Sequence, residues 1–220
     1  MKKNIILIGS NSNFVKNVLN EPEFLTNYNK IYLLSHRSYN GKNNKYNIVE
    51  NINPFYLVNI LKEIFDTYST KIKWDILVSN TPPQMSNFND MIIKEWSFTT
   101  LKIMNYLSFS SNVNKVIFLG SCLSFVPLFN NCFYKSLKKI EFQMFHNLNF
   151  YNNNNNKICY CILPPLKPGV VGLGKFFSQD IKFWSKKIMN EFDETNKLIL
   201  PSGLIGVILK TILITKLVKL

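Results

Sequence analysis

The chain has 220 residues, 46% of them hydrophobic and 14% aromatic, with a formal charge of +13. That length and apolar content suit one domain with a substantial core and exclude a disordered chain. The charge does not amount to a nucleic-acid face, because the lysines run along the whole length without a block of five basic residues. Alanine is absent and Asn, Lys, Ile and Phe are in excess, so the lysine surplus follows a general compositional bias.

Residues 4–8 form a continuous apolar run closed by Gly9, which predicts a strand buried on both faces. The run is shorter than the roughly 7–15 apolar residues of a signal-peptide core. Phe14, Val15, Val18 and Leu19 then follow helical spacing until Pro22 interrupts it. Residues 30–38 read as a second strand ending in polar residues. A polar loop leads from there to a weaker strand near Ile48 and Val49. Residues 54–65 form an amphipathic helix with Pro54 in its first turn, and 74–78 are a strand closed by Pro82 and Pro83. A helix over 95–107 precedes a buried strand over 115–121. From Tyr134, the positions Leu137, Ile140, Met144, Phe145 and Leu148 give a helix one apolar face. The asparagine run 152–156 reads as a solvated loop, and 157–165 as the next strand.

Strands that are continuous apolar runs, alternating with helices, predict an α/β fold: a doubly wound parallel sheet with helices on both faces, three layers α/β/α. A single domain is expected over 1–203, with a short substrate region near 166–190 and an apolar helix over 204–220. The cysteines at 122, 132, 159 and 161 match no zinc or C-x-x-C spacing. No metal site is expected from them. Cys159 and Cys161 share one face of a buried strand and read as small hydrophobes in a reducing cytoplasm.

In such a sheet, ligands bind outside the carboxyl ends of the strands. After the first strand, Gly9-Ser10-Asn11-Ser12-Asn13-Phe14 is a glycine-bearing turn into a helix. Such a turn offers backbone N–H groups to a pyrophosphate, although any tight strand-to-helix turn can hold one glycine. Asn13 tolerates a left-handed backbone, which would preserve the turn. After the second strand comes Arg37, the one arginine of the chain, with no acidic residue to hold a ribose 2′-hydroxyl. A planar guanidinium there favours NADP(H) over NAD(H); an arginine that merely faces solvent is the alternative. Asn80 and Thr81 form a small polar turn after the strand at 74–78, and Ser121 closes the strand at 115–121. Tyr134 and Lys138 stand four apart on one helix face, thirteen residues beyond Ser121. By chance alone about one Tyr-x-x-x-Lys pair is expected in a chain so rich in lysine. Position after the strand-end serine therefore carries the argument.

In that order these residues resemble a short-chain dehydrogenase/reductase over roughly residues 4–170. Gly9 matches the first glycine of the family's T-G-x-x-x-G-x-G turn, with Ile8, Asn13 and Val15 standing at the threonine and the later glycines. Asn80-Thr81-Pro82 stands for N-A-G, and Leu163-Pro164-Pro165 for the proline–glycine turn beside the nicotinamide. Ser121, Tyr134 and Lys138 match the catalytic serine and Y-x-x-x-K, while Ser97 falls near the helix asparagine of the proton relay. The resemblance implies a Rossmann-like fold, an NAD(P)(H) cofactor, hydride exchange with a carbonyl or alcohol, and a homo-oligomer. It further implies that Tyr134 passes the proton, Lys138 stabilises the phenolate and holds the nicotinamide ribose, and Ser121 holds the substrate oxygen. Pro164 and Pro165 would border the nicotinamide. A catalytically inactive nucleotide-binding or scaffold protein is the alternative.

Residues 204–220 carry no acidic residue and three lysines, at 210, 216 and 219. The segment falls short of the roughly 20 uninterrupted apolar positions of a membrane span. Thr211, Thr215, Lys216 and Lys219 share one side of a helix, which fits either a membrane-surface helix or one packed on protein. The first option would place a cytoplasmic protein against the inner face of a membrane. The tail resembles those of family members acting on lipids or lipid-linked sugars, which makes a sugar or lipid-linked substrate an expectation.

Overall fold

The structure, a computed structural model, describes residues 3–39, 45–68, 72–79, 90–122, 125, 132–151, 157–167, 178–195, 197–201 and 206–211. Its centre is a seven-stranded sheet in the order β3-β2-β1-β4-β5-β6-β9. The strands are β1 (Lys3–Ile8), β2 (Tyr28–Leu34), β3 (Asn47–Val49), β4 (Trp74–Val78), β5 (Val113–Ser121), β6 (Ile158–Leu163) and β9 (Leu198–Ile199). Every pairing in it is parallel. Two short strands, β7 (Leu166–Lys167) and β8 (Gln179–Asp180), pair separately. Because β2 and β4 flank β1, strand order reverses at β1/β4, the place where such sheets bind ligands.

Alternate side chains of the central strands feed two cores, as a period of two requires. One holds Ile6, Ile76, Phe118 and Tyr160 against α3 (Leu57–Thr67), α4 (Asp90–Phe109) and α5 (Cys132–Tyr151). The other holds Ile5, Leu33, Ile117 and Cys161 against α1 (Asn13–Leu19), α2 (Pro22–Asn27) and α6 (Ile181–Glu191). Cys159 and Cys161 lie together in this second core, where burial pushes both thiols up, Cys159 to about 12. They fill space as inert thiols.

One local reading is corrected and two elements are added. Pro22 ends no helix; it stands at the first position of α2, where its missing N–H costs nothing. The segment 181–191 is helical, with Ile181, Trp184 and Ile188 buried on one face and Asp180 Oδ1 accepting 2.8 Å from the Lys182 N–H. Beyond it, β9 adds an edge strand to the sheet. Buried Lys115 of β5 donates to the carbonyls of Glu191 and Glu194, placing a cation at the carboxyl end of α6.

Among residues 206–211, a helical turn, Leu209 is fully buried in the first core while Val207, Ile208 and Lys210 are exposed. This turn packs on the domain; residues 212–220, with Thr215, Lys216 and Lys219, lie outside the described residues. Among the described residues, no helix is long and apolar enough to cross a membrane.

Candidate active site at the carboxyl edge of the sheet

The turn after β1 is built around Gly9. Its φ of +81° is left-handed, and a Cβ there would stand 2.2 Å from the Ser79 carbonyl oxygen. Only glycine lets the chain pass the end of β4 so closely. Ser12 caps α1: its Oγ accepts 3.2 Å from the Val15 N–H, and Ser79 Oγ donates to it at 2.9 Å. The first helical hydrogen bond runs from Lys16 N–H to Ser12 O. No described residue accepts from the N–H groups of Asn13 and Phe14, which open the helix. The left-handed backbone expected for Asn13 is not found, since among the described residues only Gly9 and Asn51 have positive φ. Gly9 alone makes the turn. The side chains of Ser10, Phe14 and Val15 are buried, so Phe14 meets the edge through its backbone only.

Arg37 is exposed just past β2. The residue that fixes its loop is Asn11, which sequence reasoning passed over. Its Nδ2 donates to Ser35 Oγ at 2.8 Å, Ser38 O at 3.1 Å and Arg37 O at 3.4 Å, stapling the β1 turn to the β2 loop. Asparagine at a turn centre was the available signal. His36 Nδ1 lies 3.0 Å from Ile52 O, a structural contact. Asn80 and Thr81 fall outside the described residues.

Across the switch point, Ser121 is the last residue of β5 and is half-buried, in register with Leu163 of β6. Pro164 and Pro165 follow β6 and are buried. Tyr134, half-buried, and Lys138 lie one turn apart on α5. Lys138 Nζ donates at 3.0 Å to the carbonyl of Leu119, two residues before Ser121, which ties α5 to the end of β5. It also lies 5.9 Å from the centre of the Trp96 ring on α4. Trp96 Nε1, Ser97 Oγ and Thr99 Oγ1 are buried without a hydrogen-bond partner among the described residues. Buried polar atoms of this kind are satisfied by water or a ligand.

Sequence reasoning missed Glu141. Its two carboxylate oxygens each accept 3.0 Å from Lys138 Nζ, and Oε1 also accepts 2.9 Å from the Tyr160 hydroxyl. Lys138 is 2% exposed and Glu141 1%. Burial pushes the Glu141 carboxyl above its ordinary range, against the opposing pull of Lys138 and Tyr160. Burial and the nearby Glu141 charge hold the Tyr160 phenol well up. Gly120 makes room for this ring, since a Cβ there would stand 2.2 Å from Tyr160 Cε1. A cleft of about 250 Å³ between Lys3, Tyr28, Lys186 and Asp193 lies at the opposite, amino edge of the sheet and is not part of this site.

The class defined by this arrangement is a doubly wound α/β fold with a parallel sheet, whose carboxyl edge bears the Gly9 turn and the end of β5 at Ser121, with Tyr134 and Lys138 on the following helix. More narrowly, the fold is that of the short-chain dehydrogenases. The chain superposes on one from Burkholderia cenocepacia, solved in complex with NADP, with a TM-score of 0.70 at 13% identity over 96% of this chain and 93% of that one. One from Streptomyces avermitilis gives 0.70 at 10% identity over 100% and 95%. The Bordetella bronchiseptica enzyme WbmF, in complex with NAD+ and UDP, gives 0.53 at 13% identity over 75% of this chain and 50% of that one. No family model matches the sequence, and no curated protein matches it significantly.

Proposed function

We propose that this chain is an NAD(P)(H)-dependent oxidoreductase of the short-chain dehydrogenase type, acting on a carbonyl or alcohol. The observation that carries the reading is the Lys138 contact to the carboxyl end of β5. It ties α5, which carries Tyr134 and Lys138, to the end of β5, whose last residue is Ser121, and that edge of the sheet also bears the Gly9 turn. The residues present fit a nicotinamide dinucleotide. The Gly9 turn and the N–H groups of Asn13 and Phe14 would hold the pyrophosphate, with Ser10 and Ser12 shaping the loop. Arg37 would face the 2′-phosphate, which favours NADP(H) over NAD(H). Asn80, Thr81, Pro164 and Pro165 would border the cofactor, which supplies the hydride when bound.

Ser121 then hydrogen-bonds the substrate oxygen and stabilises its developing charge. Tyr134 gives its phenolic proton to that oxygen in reduction, or takes one in oxidation. Lys138, one turn along α5 from Tyr134, would stabilise the phenolate, and Ser97 is the candidate to hold a water in the proton path. The substrate class we favour is a small or lipid-linked carbonyl compound or alcohol, with the chain in a homo-oligomer.

One observation favours the alternative of a nucleotide-binding scaffold without turnover: the Lys138 ammonium is compensated by Glu141. Oxidation of NADPH, followed by absorbance across a panel of aldehydes and ketones, separates the two. Tyr134→Phe is expected to lower turnover by roughly 10²- to 10⁴-fold while NADPH still binds. Turnover surviving within a few-fold would remove Tyr134 from the chemistry.

A further inference from the structure

An ammonium has three N–H donors and no acceptor. Among the described residues, Lys138 donates to Leu119 O, Glu141 Oε1 and Glu141 Oε2, each at 3.0 Å. The carboxylate opposite is itself held, because Tyr160 donates 2.9 Å to Oε1 from β6. Both members of the pair are buried, so neither water nor salt screens them. Among the described residues, the charged and titratable groups facing Glu141 are Lys138 from its own helix and Tyr160 from β6, while α4 contributes the uncharged Trp96 ring beside Lys138.

We propose that Glu141 withholds the Lys138 ammonium from the nicotinamide ribose, so that cofactor affinity in this chain is set by how readily the buried Lys138–Glu141 pair opens. The proposal rests on the nicotinamide-cofactor reading given above. A ribose hydroxyl that accepts from Lys138 must displace an ionised carboxylate, and a charge-assisted hydrogen bond is about twice as strong as a neutral one. The pair also cancels the positive charge that would attract an anionic dinucleotide. Glu141 is therefore a positioning residue: it acts on cofactor through Lys138.

The test is titration of the full chain with NADPH, read by nicotinamide fluorescence, for wild type, Glu141→Gln and the double variant Lys138→Met/Glu141→Leu. Thermal melting reports folding of each. Glu141→Gln should tighten NADPH binding about tenfold, the factor expected of one recovered hydrogen bond from a charged donor. The double variant guards against misfolding of the single one, because replacing a buried ion pair by apolar groups is commonly tolerated. It should bind NADPH no more tightly than wild type and about tenfold more weakly than Glu141→Gln, since it has no ammonium to release. Unchanged or weaker binding in a folded Glu141→Gln, or binding by the double variant tighter than that of wild type, overturns the proposal. If wild type turns over substrate and Glu141→Gln binds no tighter, this inference fails while the oxidoreductase reading stands. If only Glu141→Gln binds NADPH, the inference stands and wild type is the scaffold. Binding by neither protein overturns both.

Discussion

Gly9 is required twice over, by its left-handed backbone and by the Ser79 carbonyl 2.2 Å from where a Cβ would sit. A methyl there cannot be relieved by rotating a flexible side chain, because the obstacle is backbone of the neighbouring strand end. Gly9→Ala is therefore expected to cost at least about 2 kcal/mol, combining backbone strain with displacement of β1 from β4. Urea denaturation checks this, and a midpoint equal to that of wild type would show that the turn relaxes freely. The same substitution bears on function, since the turn orients the Asn13 and Phe14 N–H groups. The later glycines of the family turn are dispensable for this shape. Asn13 is an ordinary first helical residue and Val15 is fully buried in the core.

At the level of elements, β4 carries an acid inside the sheet. Asp75 is buried, accepting 2.7 Å from Asn114 Nδ2 and 3.4 Å from the Tyr28 hydroxyl. Burial raises its carboxyl to about 6, with the Asn114 hydrogen bond and Lys3 pulling the other way. Folded Asp75 keeps its proton up to about pH 6. The unfolded chain releases it near pH ~4. Between those values the unfolded state binds fewer protons, so stability falls as pH rises. The contribution is whole below the window and gone above it. Asp75→Asn removes this dependence while keeping an acceptor for Asn114. Its stability relative to wild type should rise by about 3 kcal/mol across that window and then level off. Glu141, also raised by burial, is common to both proteins and cancels in the difference. Parallel pH–stability curves would contradict the assignment.

At the level of the whole molecule, β1, β4, β5 and β6 were legible as apolar runs because a parallel sheet buries both faces of its strands. The element α6 carried a readable signal, the Asp180 cap with Ile181, Trp184 and Ile188 at helical spacing, but its segment was assigned to a substrate region. With two residues, β9 was too short to show a pattern, and it exists because β6 offers it an edge. In the candidate site, the places of Gly9 after β1, of Ser121 at the end of β5 and of Tyr134 and Lys138 on the next helix were legible in the sequence. Glu141 was not, because a glutamate three residues after a lysine on a helix ordinarily reads as a solvated pair. Only the packing of α5 on β6 buries it against Tyr160. Asn11 was hidden for a related reason, since its three acceptors lie on a loop that only the folded sheet brings near.

The proposed function requires the carboxyl edge of the sheet to hold a nicotinamide dinucleotide. Titration of the wild-type chain with NADPH and with NADH, read by nicotinamide fluorescence, tests it most directly, with Arg37→Gln measured alongside. The account predicts saturable sub-millimolar binding, tighter for NADPH than for NADH, with Arg37→Gln closing that gap. Absence of saturable binding for either nucleotide would contradict it.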